Sequence, residues 1–462
     1  MAISASYDRP TDQRRASSEP IGTAIHRRAL SVLSSDSLWD RLAGDIGPIL
    51  CHFALSVVEK TKGQDRVWFM ARDGYIPMRL YDLLAAPTSP KSGYLHVSRK
   101  SLMSASSRSY GMREAYLAQW NGGDDRLGTL LTPLSSPASE LEELVRHHGF
   151  SSLAENVDYR TDPRFHALVA DSWVRARMES LNKRAVAGLH EYLEKSGFLA
   201  DANVAVVDVG WAGQIQEALE LSLGQVRRKP KIKGLYLALR ELGGQRRAAG
   251  LDMEGLLSDC GSQRWRAEAV LSAVDIFEDT CRAHHGTVTG YHDGEPLLAS
   301  DTPSRRSELA DEPRLAKLHD AILRYATAFA TAVREMGAKA DDIRDVAESA
   351  ALTLVRFPDA ELYGFFGTIG HSLDFGVDVA LPTESRASRL NPLAAIKGMR
   401  RARWKEGYVT GSVFRLPLQA ALTVARLRRR GWVRGGSFVP VGKRRGPLEN
   451  FVIALIHRLA WR

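Results

Sequence analysis

Three short stretches hold the residues best suited to chemistry. The first is Val204-Ala205-Val206-Val207-Asp208-Val209-Gly210-Trp211-Ala212-Gly213, an apolar run that ends on one acid and turns through glycines into a helical segment opening at Gln214. The second is Val67-Trp68-Phe69-Met70-Ala71, followed by Arg72-Asp73-Gly74-Tyr75. The third is Tyr94-Leu95-His96-Val97, followed by Ser98-Arg99-Lys100. A buried strand that stops on a carboxylate presents an acceptor to sugar hydroxyls. Glycines behind it let backbone N–H groups approach a phosphate at a helix N-terminus. Two such tips in one chain, one carrying an arginine, point to a phosphorylated sugar. Further along, Glu278-Asp279, with His284-His285 behind them, offer groups for proton transfer.

Each group also has a plainer reading. Asp208 suits a cap on the following helix, and Arg72-Asp73 a local ion pair. Arg99-Lys100 and Glu278-Asp279 suit solvated surfaces, and His284-His285 a turn. Trp211 is either a packing residue or a lid over the sugar. No partner ligands stand at metal-binding spacing from the histidines, so no protein-held metal is expected.

The elements that must position these groups follow from periodicity. Leu42, Ile46, Ile49, Phe53 and Val57 predict a helix over 38–60. Strands are expected at 67–71, 94–97, 204–207 and 232–239, with helices after the first turn and over 214–223. Between 101 and 199 helical patterns dominate, including 141–147 and 165–196, which predicts a helical insertion. A helix over 270–281, a hairpin over 287–298 and amphipathic helices over 314–336 and 342–354 follow. Strands alternating with helices imply a parallel, doubly wound α/β sheet, whose ligands bind beyond the carboxyl ends of the strands. Arg72-Asp73, Ser98-Arg99-Lys100 and Asp208-Val209-Gly210 all fall at such ends.

The chain has 462 residues, 44% hydrophobic and 25% charged, and a net charge of +9. Residues 386–462 carry 18 Lys/Arg against 2 acids, an excess of +16, so the remainder is near −7. The expected division is a flexible arm at 1–36, an α/β domain at 37–300, a helical region at 301–383 and a basic amphipathic segment at 384–462. Trp404, Tyr408, Phe414, Trp432 and Phe438 interleave the basic clusters, which favours a membrane surface over a merely solvated tail. No recognition-helix or RNA-binding signature supports nucleic acid. Three scattered cysteines without a CxxC pair fit a reducing cytoplasm. Neither a signal sequence nor a transmembrane helix is expected.

The set FMARDGY, YLHVSRK and VAVVDVGWAG resembles a group of polysaccharide-biosynthesis proteins whose matched region is laid out like the type I phosphoribosyltransferases, often fused to a HAD-type phosphatase. The resemblance spans about 38–300. It implies a type I phosphoribosyltransferase-like sheet and transfer of 5-phosphoribose from PRPP, with Mg²⁺, to a glycan or lipid-linked glycan acceptor. It implies a pyrophosphate loop at Arg72, Asp73, Gly74 and Tyr75, and a basic pair at Arg99-Lys100 behind Ser98. It implies a ribose acid at Asp208 and a 5-phosphate loop over Val209, Gly210, Trp211, Ala212, Gly213 and Gln214. Glu278, with Asp279 and His284 as alternatives, is a candidate base. Val207 stands where a second acid is usual, and Trp211, Ala212 and Ile215 stand where Thr or Ser is usual, so phosphate contact would fall to backbone N–H groups. No DxDx[TV] loop is present, so the phosphatase is expected to be a separate partner. The competing expectation is a non-catalytic phosphosugar-binding scaffold of a polysaccharide assembly complex. A nucleotide-sugar glycosyltransferase is disfavoured, since no DxD motif follows a strand.

Overall fold

Neighbouring residues of β1 (Arg66–Met70) point to opposite sides of the sheet and both sides are buried, which is why its sequence runs apolar without alternation. Val67 and Phe69 join one hydrophobic core, and Trp68 and Met70 join the other. In a computed structural model the chain is described over residues 19–110, over 126–369 apart from 132, 133, 160, 225, 263, 301 and 302, and over 391–422 apart from 403, 413–417, 420 and 421. The further strands are β2 (Lys91–Leu95), β3 (Asn203–Trp211), β4 (Lys231–Leu239) and β5 (Asp252–Ser258). All five pair in parallel, in the order β2-β1-β3-β4-β5. A separate antiparallel hairpin joins β6 (Val288–His292) to β7 (Glu295–Leu298).

The helices in chain order are α1 (Ile21–Leu30), α2 (Leu38–Lys60), α3 (Tyr75–Leu84), α4 (Arg99–Tyr110), α5 (Leu127–Leu130), α6 (Ala138–His147), α7 (Pro163–Val169), α8 (Ser172–Lys195), α9 (Gln214–Ser222), α10 (Glu241–Ala248), α11 (Val274–Cys281), α12 (Pro303–Met336), α13 (Ala340–Arg356), α14 (Ala360–Phe366), α15 (Pro392–Arg401) and α16 (Lys405–Gly411). One sheet face packs against α2, α3, α11, α12 and α13. The other carries α4, α8 and α9, through Leu102, Leu189, Leu193 and Leu219. The doubly wound α/β sheet is therefore present, with helices on both faces.

Several expectations change. The segment expected to be a flexible arm contains α1, whose Ile25 and Ala29 are fully buried against the α12–α13 side; residues 1–18 lie outside the described residues. The third strand reaches Trp211 rather than ending at Val207, so Asp208 lies inside it, in register with Tyr236. The second strand lies at 91–95, upstream of 94–97. β5 carried no separate strand expectation. The helix expected over 165–196 is two, because Asp171 accepts a hydrogen bond from Trp173 N and caps a new start. The insertion has its own small core (Leu127, Phe150, Phe165, Val174 and Met178 among others), yet α8 continues from it onto the sheet. The helical region after 300 is no separate layer either, since α12 and α13 cover the sheet through α2. The helix α2 is long and apolar enough by composition to cross a membrane, but most of it is buried inside the fold. The basic tail beyond residue 422, with Trp432 and Phe438, lies outside the described residues. Before it, Ala395, Met399, Tyr408 and Val409 form a small core.

Candidate functional site

The strand order reverses between β1 and β3: β2 lies to one side, and β4 and β5 to the other. In open parallel sheets this reversal, at the carboxyl ends, is where chains leaving neighbouring strands part and a ligand finds room. Both acid–glycine tips stand there.

After β1 the chain turns at once into α3. Gly74 N donates to Met70 O (2.8 Å), and a Cβ on Gly74 would stand 2.5 Å from that carbonyl, so this turn requires glycine. The Ala71–Arg72 peptide bond is cis. The Arg72 guanidinium does not stand open for a ligand. Its Nη1 donates to Glu308 Oε2 at 2.6 Å, with the two side chains 11% and 2% exposed. Glu308 also faces Arg305 Nη1 (3.4 Å) and Arg282 Nη1 (3.9 Å). Arg282 reaches Asp279 (3.4 Å), and Arg305 reaches Glu312 (2.7 Å). Arg72 is thus one corner of a buried ion network that ties the β1 tip to α11 and α12. Arg72 pairs with a carboxylate 236 residues away, a long-range tie beyond the local pair weighed for it.

Asp73 is half-buried beside this network; burial first, and then its charge, raise the phenol of Tyr94 and the thiol of Cys281. The Tyr75 ring lies against Tyr94, His284 and His319, with centroids 6.0–6.3 Å apart. Tyr94 Oη meets His285 Nε2 at 2.8 Å, and His285 Nδ1 meets Gly286 O at 2.8 Å. A carbonyl only accepts, so the network assigns the proton to Nδ1 and makes Nε2 the acceptor of the tyrosine hydroxyl. Burial lowers His285, and burial together with His285 lowers His96 to about 4.

Ser98 caps α4. Ser101 N donates to Ser98 Oγ and Ser98 N to Ser101 Oγ, both at 3.0 Å, while Ser98 Oγ donates to Val288 O at 2.6 Å. Its hydroxyl is committed to holding the helix start against the hairpin, which differs from a ligand-binding role. Arg99 is exposed on the first turn of α4, and Lys100 follows it, half-buried. Arg99 is close enough to Asp208 to favour its ionised form.

Asp208 is 9% exposed. Burial first, then the charge of Glu278, push its carboxyl up to about 7. A hydrogen bond from Val209 N and the Arg99 charge oppose that rise. The Val209 side chain is fully buried in the core, so its backbone alone faces the site. Gly210 has φ +91°, and a Cβ there would stand 2.4 Å from Tyr236 Cδ1; no other residue fits. Trp211 settles between packing and lid on the packing side. Its ring lies against Phe277, and Nε1 donates to Glu278 Oε1 at 2.7 Å. The Ala212 carbonyl accepts from Arg246 Nη1 (3.0 Å), and Arg246 also pairs with Glu217 (2.6 Å). Gly213, at φ +72°, precedes Gln214, where α9 starts. Gln216 fixes α9 by accepting from Tyr236 Oη (2.9 Å) and donating to Asp252 O (2.9 Å). The cap reading of Asp208 does not hold, because α9 begins six residues later and Gly213 occupies its N-cap.

Glu278 is half-buried on α11, whereas Asp279 is 4% exposed and engaged with Arg282. Sequence reasoning missed Glu308, Arg282, Arg305, Tyr94, Cys281 and Arg246. Tyr94 opens the YLHVSRK motif but carried no role there, and the others stand outside the three motifs, where no local signal marks their partners. Among the described residues no three His, Cys, Asp or Glu side chains gather as a cation cage.

The fold and site define an α/β protein whose doubly covered parallel sheet carries a charged, glycine-turned carboxyl edge at its order reversal. No protein-family model and no curated protein matches the chain.

Proposed function

We propose that the chain transfers 5-phosphoribose from PRPP to a hydroxyl of a glycan acceptor in surface polysaccharide biosynthesis, on a sheet of type I phosphoribosyltransferase-like topology. One observation carries this reading: two acid–glycine tips flank the β1/β3 reversal of a β2-β1-β3-β4-β5 parallel sheet. The departing pyrophosphate needs fixed donors. Arg99 and Lys100, on the first turn of α4, supply them, and Arg72 acts indirectly by holding the Asp73–Gly74 turn in place. Asp208 addresses the ribose hydroxyls. Backbone N–H groups over 210–214, at the start of α9, receive the 5-phosphate. Mg²⁺ bound to PRPP would neutralise pyrophosphate charge. A separate HAD-type phosphatase would then remove the 5-phosphate. A cytoplasmic chain held at the inner membrane surface by its basic segment would meet lipid-linked acceptors.

The second reading, a non-catalytic phosphosugar-binding scaffold, draws support from two facts. Val207 is fully buried in the core where a second ribose acid would be, and Arg72 is already engaged by Glu308. Calorimetry with PRPP and Mg²⁺ separates the readings. Micromolar binding by wild type, lost in Asp208→Ala, with pyrophosphate released when a glycan acceptor is added, supports the transferase. Binding without release at any acceptor favours the scaffold. No binding sinks both.

A further inference from the structure

Transfer to an acceptor hydroxyl needs a group to take its proton, and three were candidates from the sequence. Asp279 is buried and engaged with Arg282 in the ion network at the β1 tip. His284 is exposed, with its ring against Tyr75 and His319 on the β1–β2 side of the edge. Glu278 is held by a residue of the phosphate loop itself. The indole N–H of Trp211 donates to it at 2.7 Å, from a ring packed on Phe277, the neighbour of Glu278 on α11. Trp211 lies three residues beyond Asp208 on β3. An N–H bound to a carboxylate oxygen fixes the side chain's direction and stabilises its charge.

Resting on the transferase reading above, we propose that Glu278 is the general base for the acceptor hydroxyl and that Trp211 is the residue that positions it. In the step, the acceptor oxygen bonds to C1 of the ribose and the C1–O bond to pyrophosphate breaks. The electron pair leaves with pyrophosphate, and the hydroxyl proton passes to the Glu278 carboxylate. Trp211 Nε1 keeps its own proton throughout and holds the carboxylate in direction. This gives a physical reason for tryptophan where a phosphate loop commonly carries a hydroxyl: the side chain serves the acceptor side rather than the phosphate.

The charges of Glu278 from α11 and Arg99 from α4 act on Asp208, whose own charge in turn acts on Tyr236 of β4 and, with that of Asp73, on Cys281 of α11. Burial first, then the neighbouring Glu278 charge, raise the Asp208 carboxyl.

The test uses the full-length chain with PRPP and Mg²⁺. It follows pyrophosphate release across pH with water, and then a mixture of methyl glycosides, as acceptor. Glu278→Gln is expected to keep PRPP binding by calorimetry and to slow release by about 10²–10⁴-fold. Trp211→Phe keeps the ring and loses the N–H. It is expected to slow release about ten-fold, as for one hydrogen bond to a charged group, and to move the acid limb of the rate profile to higher pH. A packing role alone would leave that limb in place. Wild type that binds and cleaves PRPP, with Glu278→Gln equally fast or the Trp211→Phe acid limb unmoved, overturns this proposal and leaves the transferase reading standing. Wild type that binds PRPP without releasing pyrophosphate, or does not bind it, overturns both.

Discussion

The two strand tips share a sequence pattern and differ in what they became. At the β1 tip, Arg72 is drawn into a network with Glu308, Arg282 and Arg305, whose side chains are nearly all buried. At the β3 tip, Asp208 feels the charges of Glu278 and of Arg99, Trp211 holds Glu278, and glycines form the turn. An apolar strand, an acid and a glycine specify a chain reversal at a sheet edge. Whether that reversal faces a ligand or a helix depends on what the rest of the chain lays over it. Over β1 it lays the start of α12, which brings Glu308.

The largest expected effect breaks the β1 side. Glu308→Ala leaves Arg72, Arg282 and Arg305 without their shared carboxylate, and is expected to cost about 3–5 kcal/mol by urea denaturation. A loss under about 1 kcal/mol would mean that this tip is not a structural tie. Next, Gly210→Ala forces a Cβ into Tyr236 at a left-handed φ. A loss of about 1–3 kcal/mol, together with loss of PRPP binding, is expected from denaturation and calorimetry.

A third prediction uses pH to separate the tips. The Asp208 carboxyl is raised in the folded chain, to about 7 from an ordinary 3.8. Between these values the unfolded chain has released its proton and the folded chain has not, so stability is fully present below about pH 4 and falls as pH rises toward 7. Asp208→Asn removes that loss. It is expected to match wild type near pH 4 and to exceed it above pH 7 by up to about 4 kcal/mol. A constant difference across pH, measured by denaturation at both ends, would contradict the raised carboxyl. The smallest effect belongs to the rim. Arg99→Gln should leave stability unchanged and weaken PRPP binding about ten-fold, an effect that shrinks as salt is added. Equal affinity for PRPP at low salt would remove Arg99 from the donor site.

The same contrast measures how far the sequence could be read. Helix α2 was legible to its ends, because its apolar positions recur at helical spacing and Ser37 caps it. The tips at Gly74 and Gly210 were legible because backbone geometry there admits glycine alone. The end of β3 was not: Val209, Gly210 and Trp211 extend the strand through pairing with β4, and that pairing is a non-local choice. The hydrogen bonding of Ser98 was not legible for a similar reason. Its hydroxyl goes to Val288, 190 residues away, and no local pattern announces such a partner.

By itself the sequence determined the local elements and the reversal of the chain at two acid-bearing strand ends, because periodicity and glycine are short-range constraints. Tertiary structure alone decided that Glu308 would take Arg72, that Trp211 would hold Glu278, and that Asp208 would be buried enough to keep its proton. Charges choose partners by distance and desolvation, and both are properties of the folded molecule rather than of the order of its residues.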